Sequence, residues 1–128
     1  MGNLVFVMVG GALGAGARHL VGAAVLARFG PDFPWGTLSV NLAGGLLMGL
    51  LVGWLARTEG NEPLRLLLGV GILGGFTTFS AFGLESWRMI AGGQMGLALG
   101  YILASALGAI LATGLGLWAA RTFAGHLA

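Results

Sequence analysis

The sequence gathers hydroxyl and aromatic side chains in one short run, GGFTTFSAF at residues 74–82. This run lies near the middle of an apolar segment that extends from about residue 66 to residue 88. Two adjacent glycines, two β-branched threonines and a serine are poor formers of a continuous helix. At membrane depth, non-helical backbone persists only where it is buried in protein or lines a wet cavity. The run therefore predicts a broken helix whose free carbonyls and amides could bind an ion.

An alternative for these side chains is a simple kink, in which hydroxyls bond back to the carbonyl four residues earlier. A lone Thr or Ser would favour the kink, whereas the whole cluster favours the break. Phe79 and Phe82 are three residues apart and share a helix face. Such rings usually face lipid or the core, but their electropositive edges could instead face an anion.

Other neutral donors lie on the second and last apolar segments. Asn41 could act as interhelical glue or as an amide donor to an ion, and its position leaves both open. Tyr101 and Ser105 are four residues apart and share a face, with Ala109 next on it. Tyr101 could equally belong to an interfacial aromatic belt. Donors without full charge suit a small anion that must shed water and still leave.

Charged residues are few within these segments. Arg18 could snorkel, pair with a carboxylate or hold the carbonyls of a broken helix. Glu85 and Arg88, three residues apart, predict an interfacial ion pair. The chain has no cysteine, and no His, Asp and Glu constellation supports general acid–base chemistry or a metal site. We therefore expect a passive ion pathway rather than an enzyme.

The elements that must position these groups are membrane helices. Of the 128 residues, 57% are hydrophobic and 8% are charged, and a soluble domain of this size needs far more charge. Apolar stretches long enough to cross a bilayer predict four spans in one transmembrane domain, residues 1–128. The spans cover approximately residues 3–27, 36–56, 65–88 and 96–120, with the third one broken. The predicted fold is an all-α integral membrane protein.

The 26 glycines predict close helix packing, since small residues let backbones approach in lipid. Small residues recur at every fourth position on two helices. They form one ridge on the second span (Gly45, Gly49, Gly53) and one on the last span (Gly96, Gly100, Ala104, Gly108, Ala112, Gly116).

The arginines hardly bias the topology. Three of them (Arg57, Arg65, Arg121) fall on one side of a four-span chain, against two or three on the other. Such a weak bias predicts insertion in both orientations. Two opposed copies could then form an antiparallel homodimer.

Three motifs resemble those of the Fluc/CrcB family of fluoride channels. They are the glycine-rich stretch that ends in Arg18 (residues 10–18), the second-span motif GTLSVN (residues 36–41) and the run at residues 74–82. The resemblance covers nearly the whole chain and preserves motif order and spacing. It implies a dual-topology homodimer in the cell membrane, with two pores that export cytoplasmic fluoride passively.

The resemblance also implies a structural Na⁺ at the dimer centre, held by the carbonyls of Gly74 and Thr77. It places a set of side chains along the pore, with roles for Arg18 and Glu85 that are less defined. The implied pore residues are Thr37, Asn41, Phe79, Ser80, Phe82, Tyr101 and Ser105. Two positions depart from the pattern: Ala81 stands where many members carry threonine, and Ala109 where some have a second serine.

A small proton-coupled multidrug exporter of four helices is the main alternative. Such transport needs a membrane-embedded carboxylate, typically in the first helix. The first span here contains Arg18 and no acid. Glu85 could serve only if it lay deep in the membrane.

Overall fold

The chain folds into helices joined by short turns. The computed structural model describes residues 2–59 and 61–126, with side chains described up to residue 123. The helices are α1 (Gly2–Phe29), α2 (Trp35–Leu55), α3, α4 (Ser80–Ala91) and α5 (Met95–His126). Helix α3 consists of three consecutive segments: Glu62–Leu64, Arg65–Leu73 and Gly74–Phe76. Helices α3 and α4 together form the third span.

Four stretches are long and apolar enough to cross a membrane. These stretches are Gly2–Phe29, Trp35–Leu55, Glu62–Ala91 and Met95–Phe123. The third is bent where α3 gives way to α4. The prediction of an all-helical membrane protein with four spans and an interrupted third helix is thus confirmed, while the single-domain assignment over residues 1–128 stays a prediction.

The middle segment of α3, Arg65–Leu73, is a π-helix. Helices of this type are rare and usually limited to single turns, which often lie next to functional sites. Here the π-helical segment leads directly to the break. The sequence analysis did not foresee it.

Glycines let α1 lie directly against α3. A Cβ atom on Gly14 would strike the Ile72 carbonyl oxygen, and one on Gly75 would come within 2.5 Å of the Gly11 oxygen. Each glycine therefore meets the opposite backbone rather than a side chain. This contact fixes the position of the helix that ends at the break.

The glycine ridge of α2 packs against α5. A Cβ on Gly45 would lie 2.9 Å from the Ala109 oxygen, and one on Gly49 would strike the Thr113 oxygen. From the other side, a Cβ on Gly116 would strike the Leu46 oxygen. The two backbones therefore run in contact, as close-packed membrane helices do.

The ridge predicted on α5 divides into two halves. Its second half, with Gly108 and Gly116, contacts α2. Around Gly96 and Gly100, no atom of the described chain would lie within 4 Å of an added Cβ. The first half of the ridge is therefore open in a single chain.

A small core lies beside the turns that connect α1 to α2 and α4 to α5. Its buried members are Met89, Ala98 and Tyr101, and Phe33, Leu38, Phe82 and Ile90 pack against them. Many large apolar side chains elsewhere point outward; Leu111 and Leu20 are 71% and 70% exposed. An apolar exterior is what lipid contact requires.

Candidate functional site

The third span is interrupted at residues 77–79. Helix α3 ends at Phe76, and Thr77 takes an extended conformation (φ −87°, ψ 161°) before α4 begins at Ser80. Two half-helices thus meet end to end within one apolar span. The break predicted from residues 74–82 lies at this point.

Side chains capture the amide groups that the break releases. In a continuous helix the Thr78 N–H would bond to the Gly74 carbonyl, but it donates instead to Asn41 Oδ1 at 2.8 Å. The Ala81 N–H, whose helical acceptor would be the Thr77 carbonyl, donates to Thr78 Oγ1 at 3.2 Å. The break therefore diverts the usual donors away from the carbonyls of Gly74 and Thr77.

Asn41 fastens α2 to the break. Its Nδ2 donates to the Thr78 carbonyl at 2.9 Å while its Oδ1 accepts from the Thr78 amide. The side-chain amide thus pairs with both the N–H and the carbonyl of Thr78, as a neighbouring peptide group would. Asn41 acts as the interhelical link considered above, and its second Nδ2 proton is still available as a donor.

Arg18 holds the other side of the break. Its Nε donates to the Gly75 carbonyl at 3.0 Å. Of the three roles considered for Arg18, it therefore holds a carbonyl of the broken helix. Arg18 also lines a cavity of about 540 Å³ with His19, Thr37 and Thr78. The break is therefore held between α1 and α2.

The two threonine hydroxyls and Ser80 make local contacts. Thr77 Oγ1 bonds back to the Leu73 carbonyl at 3.1 Å, as the kink alternative foresaw for single hydroxyls. Thr78 Oγ1 and Ser80 Oγ lie 3.4 Å apart. Ser80 is exposed at the start of α4 and is not among the residues that line the cavity described next.

A cavity of about 370 Å³ lies against the break. Asn41, Thr77, Phe79, Phe82 and Ser105 all contribute to its wall, and no charged residue does. We call this space the central cavity. It brings together five of the residues predicted from the sequence.

Ser105 presents its hydroxyl to the central cavity and lies close to the Tyr101 hydroxyl. The residue is 5% exposed, and its Oγ has no hydrogen-bond partner within the described part of the chain. A buried hydroxyl without a partner is costly, so such groups commonly mark a ligand or water position. The Ser105 proton is thus available to an anion in the cavity.

Phe79 and Phe82 stand next to each other, with ring centroids 5.6 Å apart. Phe82 is half-buried, but Phe79 is 84% exposed although it lies at the middle of a span. Within a single chain the central cavity therefore opens outward beside Phe79.

The Glu85 carboxylate accepts two hydrogen bonds near the far end of the site. Thr37 Oγ1 donates to Oε1 and Tyr101 Oη donates to Oε2, both at 2.7 Å. The predicted Glu85–Arg88 ion pair is wrong, because Glu85 is bound by hydroxyls from α2 and α5 instead. Tyr101 is fully buried, so it is no part of an exposed aromatic belt.

Glu85 and Thr37 line a third cavity, of about 570 Å³, which we call the mouth cavity. Asp32, Arg88 and Gln94 also line it. Asp32 and Gln94 lie in turns and Arg88 lies in the last turn of α4, so the mouth cavity has more polar walls than the central cavity. Tyr101 contributes to neither the mouth cavity nor the central cavity.

Two residues of the site were missed by the sequence analysis. Thr113 lines the central cavity and donates its hydroxyl to the Ala109 carbonyl at 2.9 Å. Thr113 continues the four-residue spacing of Tyr101, Ser105 and Ala109, and this spacing could have predicted its place on the same helix face. Gly44 was missed as well: a Cβ there would strike the Thr77 methyl group, so this glycine lets the break approach α2.

The two departures from the expected pattern lie at different places. Ala109 lines the central cavity, where it contributes a methyl group instead of a hydroxyl. Ala81 lines the cavity beside Arg18. Thr113 supplies a hydroxyl one turn beyond Ala109.

Comparison with known proteins shows the family of this chain. Residues 5–117 match the family described as "CrcB-like protein, Camphor Resistance (CrcB)". The chain belongs to the CrcB family. The match covers most of the 128 residues and includes all three motifs on which the resemblance was based.

Several curated CrcB relatives carry the name "Fluoride-specific ion channel FluC". A protein from Sphingopyxis alaskensis is 61% identical over 118 residues, which cover 91% of this chain and 94% of the relative. A protein from Mesorhizobium japonicum is 49% identical over 122 residues, with 95% and 98% covered. One from a Caulobacter species (strain K31) is 51% identical over 123 residues, with 94% and 96% covered. These relatives are ion channels by name and not enzymes, in agreement with the prediction of an ion pathway.

Proposed function

We infer that this chain is a fluoride-specific ion channel that conducts passively across the cell membrane. The observation that carries this inference is the central cavity, a space at the break of a membrane span that is lined by neutral donors and aromatic rings. The names of the CrcB relatives, at up to 61% identity, support the same function. Its physiological direction is the export of fluoride that has entered the cytoplasm as HF.

Neutral donors explain how an anion could pass without being trapped. Hydrogen bonds to a charged group are each worth roughly 1.5–3 kcal/mol, and the Ser105 hydroxyl and the second Asn41 N–H offer two of them. The ring edges of Phe79 and Phe82 add a weak positive potential. Conduction requires binding that is strong enough for entry and weak enough for release.

The functional unit that we propose is an antiparallel homodimer with two pores. Gly74 is exposed at the middle of the third span, beside diverted carbonyls, and Phe79 is 84% exposed. Polar backbone at that depth needs cover from protein. A second copy would cover the break, and the weak arginine bias allows it to insert in the opposite orientation. The single transmembrane domain, residues 1–128, includes Met1, Gly60 and residues 127–128, which lie outside the described residues.

We further propose a structural Na⁺ between the two copies. The carbonyls of Gly74 and Thr77 have lost their usual helical donors to Asn41 and Thr78. Unwound backbone carbonyls are suitable ligands for Na⁺. A bound Na⁺ would offset the negative ends of the Gly74 and Thr77 carbonyl dipoles. The donor set therefore fits the ion.

The exporter alternative finds less support. Its coupling carboxylate must be free to exchange protons and substrate. Glu85, the acid of α4, accepts hydrogen bonds from the hydroxyls of Thr37 and Tyr101, both at 2.7 Å. No acid occurs in α1.

Ion efflux from liposomes that contain the purified protein tests the channel against the exporter. We expect fluoride efflux without chloride efflux, and its loss in Asn41→Asp and in Phe79→Ile. Asn61→Asp, which alters an exposed helix cap, is the matched control and should conduct normally. Drug–proton exchange that Glu85→Gln abolishes would select the exporter instead.

Tags at the N-terminus and the C-terminus test whether the chain inserts in both orientations, which the antiparallel dimer requires. Antiparallel insertion predicts that the N-terminal tag is reached by an impermeant reagent from each side of the membrane. Access from one side only would contradict dual topology.

A further inference from the structure

Two cavities of the site are separated by Tyr101. The central cavity ends at Phe82 and Ser105, and the mouth cavity begins at Phe33 and Glu85. Tyr101 is 0% exposed and packs between the two aromatic rings. Its ring centroid lies 5.4 Å from that of Phe82 and 5.4 Å from that of Phe33.

Phe33 belongs to the turn between α1 and α2, but its position is well defined. Its carbonyl accepts a hydrogen bond from the Trp35 N–H at 2.8 Å, which closes a tight turn around Pro34. Its ring packs against the Trp35 ring at a tilt of 52°, with a centroid distance of 4.6 Å. It meets the Tyr101 ring nearly perpendicularly, at 86°, in the edge-to-face geometry that aromatic pairs favour.

The rings form a continuous file from the turn to the break. The file runs through Trp35, Phe33, Tyr101, Phe82 and Phe79, and neighbouring centroids are 4.6 to 5.6 Å apart. Phe33 is the member that both lines the mouth cavity and touches Tyr101. An anion that moves directly from the central cavity to the mouth cavity passes the contact between these two rings, whereas the cavity beside Arg18 borders both cavities on the other side, at Thr78 and Thr37.

We propose that Phe33 is a specificity-determining and positioning residue of the fluoride path. Its ring seals the Tyr101 side of the central cavity against the water of the mouth cavity, and it holds Tyr101 so that the hydroxyl stays on Glu85. An anion that passes this seal must give up its water, which favours an ion small enough to be resolvated by single hydroxyl groups. This inference rests on the proposed fluoride function, although the contact itself does not.

Thiol accessibility tests the seal, because the native chain has no cysteine. Ser105→Cys places a single thiol on the central cavity, at a residue that is 5% exposed. The reconstituted protein is treated with 2-sulfonatoethyl methanethiosulfonate, an anionic reagent that does not cross membranes. We expect the labelling rate of Ser105→Cys to rise at least tenfold when Phe33→Ala is added.

Two controls distinguish a seal from general loosening. Phe29→Ala removes a ring that contacts Trp35 at 6.2 Å but is not paired with Tyr101, and it should leave the labelling rate within twofold. Ser86→Cys reports on an equally buried serine, 6% exposed, that lines neither cavity. Its labelling should not change with Phe33→Ala. If Ser86→Cys accelerates as much as Ser105→Cys, or if Phe33→Ala and Phe29→Ala act alike, the proposal is overturned.

Phe33→Leu provides the test if the alanine variant does not fold. Leucine keeps much of the apolar volume but has no ring edge, so labelling of Ser105→Cys should rise at least threefold. An unchanged rate in a folded Phe33→Leu protein would overturn the seal. Fluoride and chloride efflux from the same variants without the cysteine are measured in parallel. Failure of fluoride efflux in the native protein would reject the channel, whereas unchanged labelling would reject only the role of Phe33.

Discussion

Helix α2 meets its neighbours in two ways. Toward α5 it presents Gly45 and Gly49, and the two backbones touch. Toward the break it presents Asn41, which forms two hydrogen bonds with Thr78. Both contacts lie inside the membrane span. They differ in where the backbone N–H and C=O groups that face α2 find their hydrogen-bond partners.

The contrast follows from where the backbone hydrogen bonds lie. In α5 the backbone groups form hydrogen bonds within the helix. Glycine at the facing positions of α2 is therefore enough to let the two helices approach closely. At the break the amide and carbonyl of Thr78 have no helical partner, and lipid offers none. A polar side chain is therefore required there. Substitutions at the break and at the glycine contact should therefore differ in size and in kind.

The largest effect is expected from Asn41→Leu. It leaves the amide and the carbonyl of Thr78 without partners, at a cost of about 1–3 kcal/mol for each group. We expect fluoride efflux to fall at least a hundredfold and the thermal midpoint to drop. Asn61→Ala removes an amide that also bonds to backbone, but at the exposed end of α3. If its efflux falls as far as that of Asn41→Leu, the break has no special need for a polar side chain.

A smaller loss is expected from Gly116→Ala. Its new Cβ would strike the Leu46 carbonyl oxygen, and overpacking of this kind costs about 1–3 kcal/mol. Gly114→Ala is the same change two residues earlier, where nothing lies within 4 Å of the Cβ. Thermal unfolding in detergent should show a lower midpoint for Gly116→Ala and an unchanged one for Gly114→Ala. Equal midpoints would mean that the α2–α5 contact is looser than described.

Arg18→Lys should have a moderate effect. The charge is kept, but the planar Nε donor to the Gly75 carbonyl is lost. We expect fluoride efflux to fall about threefold to tenfold, and further in Arg18→Leu. If lysine and leucine reduce efflux equally, the guanidinium geometry matters and the charge does not.

The smallest effect is expected from Thr113→Val. Its hydroxyl faces the central cavity but is already bonded to the Ala109 carbonyl. Ser105→Ala removes a hydroxyl of the same cavity that has no partner in the described residues. Initial rates of fluoride efflux should change less than twofold for Thr113→Val and about fivefold for Ser105→Ala. The reverse order would show that the bonded hydroxyl is the one the ion uses.

Local sequence chemistry predicted much of the break. Two glycines and a cluster of hydroxyls are poor helix formers at any depth, so residues 74–82 indicated the interruption without knowledge of the fold. The ridge of α2 was predicted for a similar reason, since glycine spacing is a property of one helix. The helix count follows from the four long apolar stretches along the chain, and the apolar exterior follows from the composition.

Partners across the chain could not be predicted in this way. Glu85 has Arg88 one turn away on its own helix, and that spacing suggested an ion pair. The fold instead brings Thr37 and Tyr101 to it from two other helices. The contact of Phe33 with Tyr101 likewise joins a turn to a helix far along the chain.

Unequal helix lengths tie the protein to the thickness of its bilayer. At about 1.5 Å per residue, the 21 residues of α2 span about 32 Å, close to the hydrocarbon core of about 30 Å. The 28 residues of α1 and the 32 of α5 are longer, so these helices must tilt or extend into the headgroups. Because α1 and α5 touch opposite sides of the site, through Arg18 and Ser105, a change in their tilt would alter the spacing around the break. The thickness of the surrounding bilayer, and so its lipid composition, would therefore affect the distances between the residues of the site.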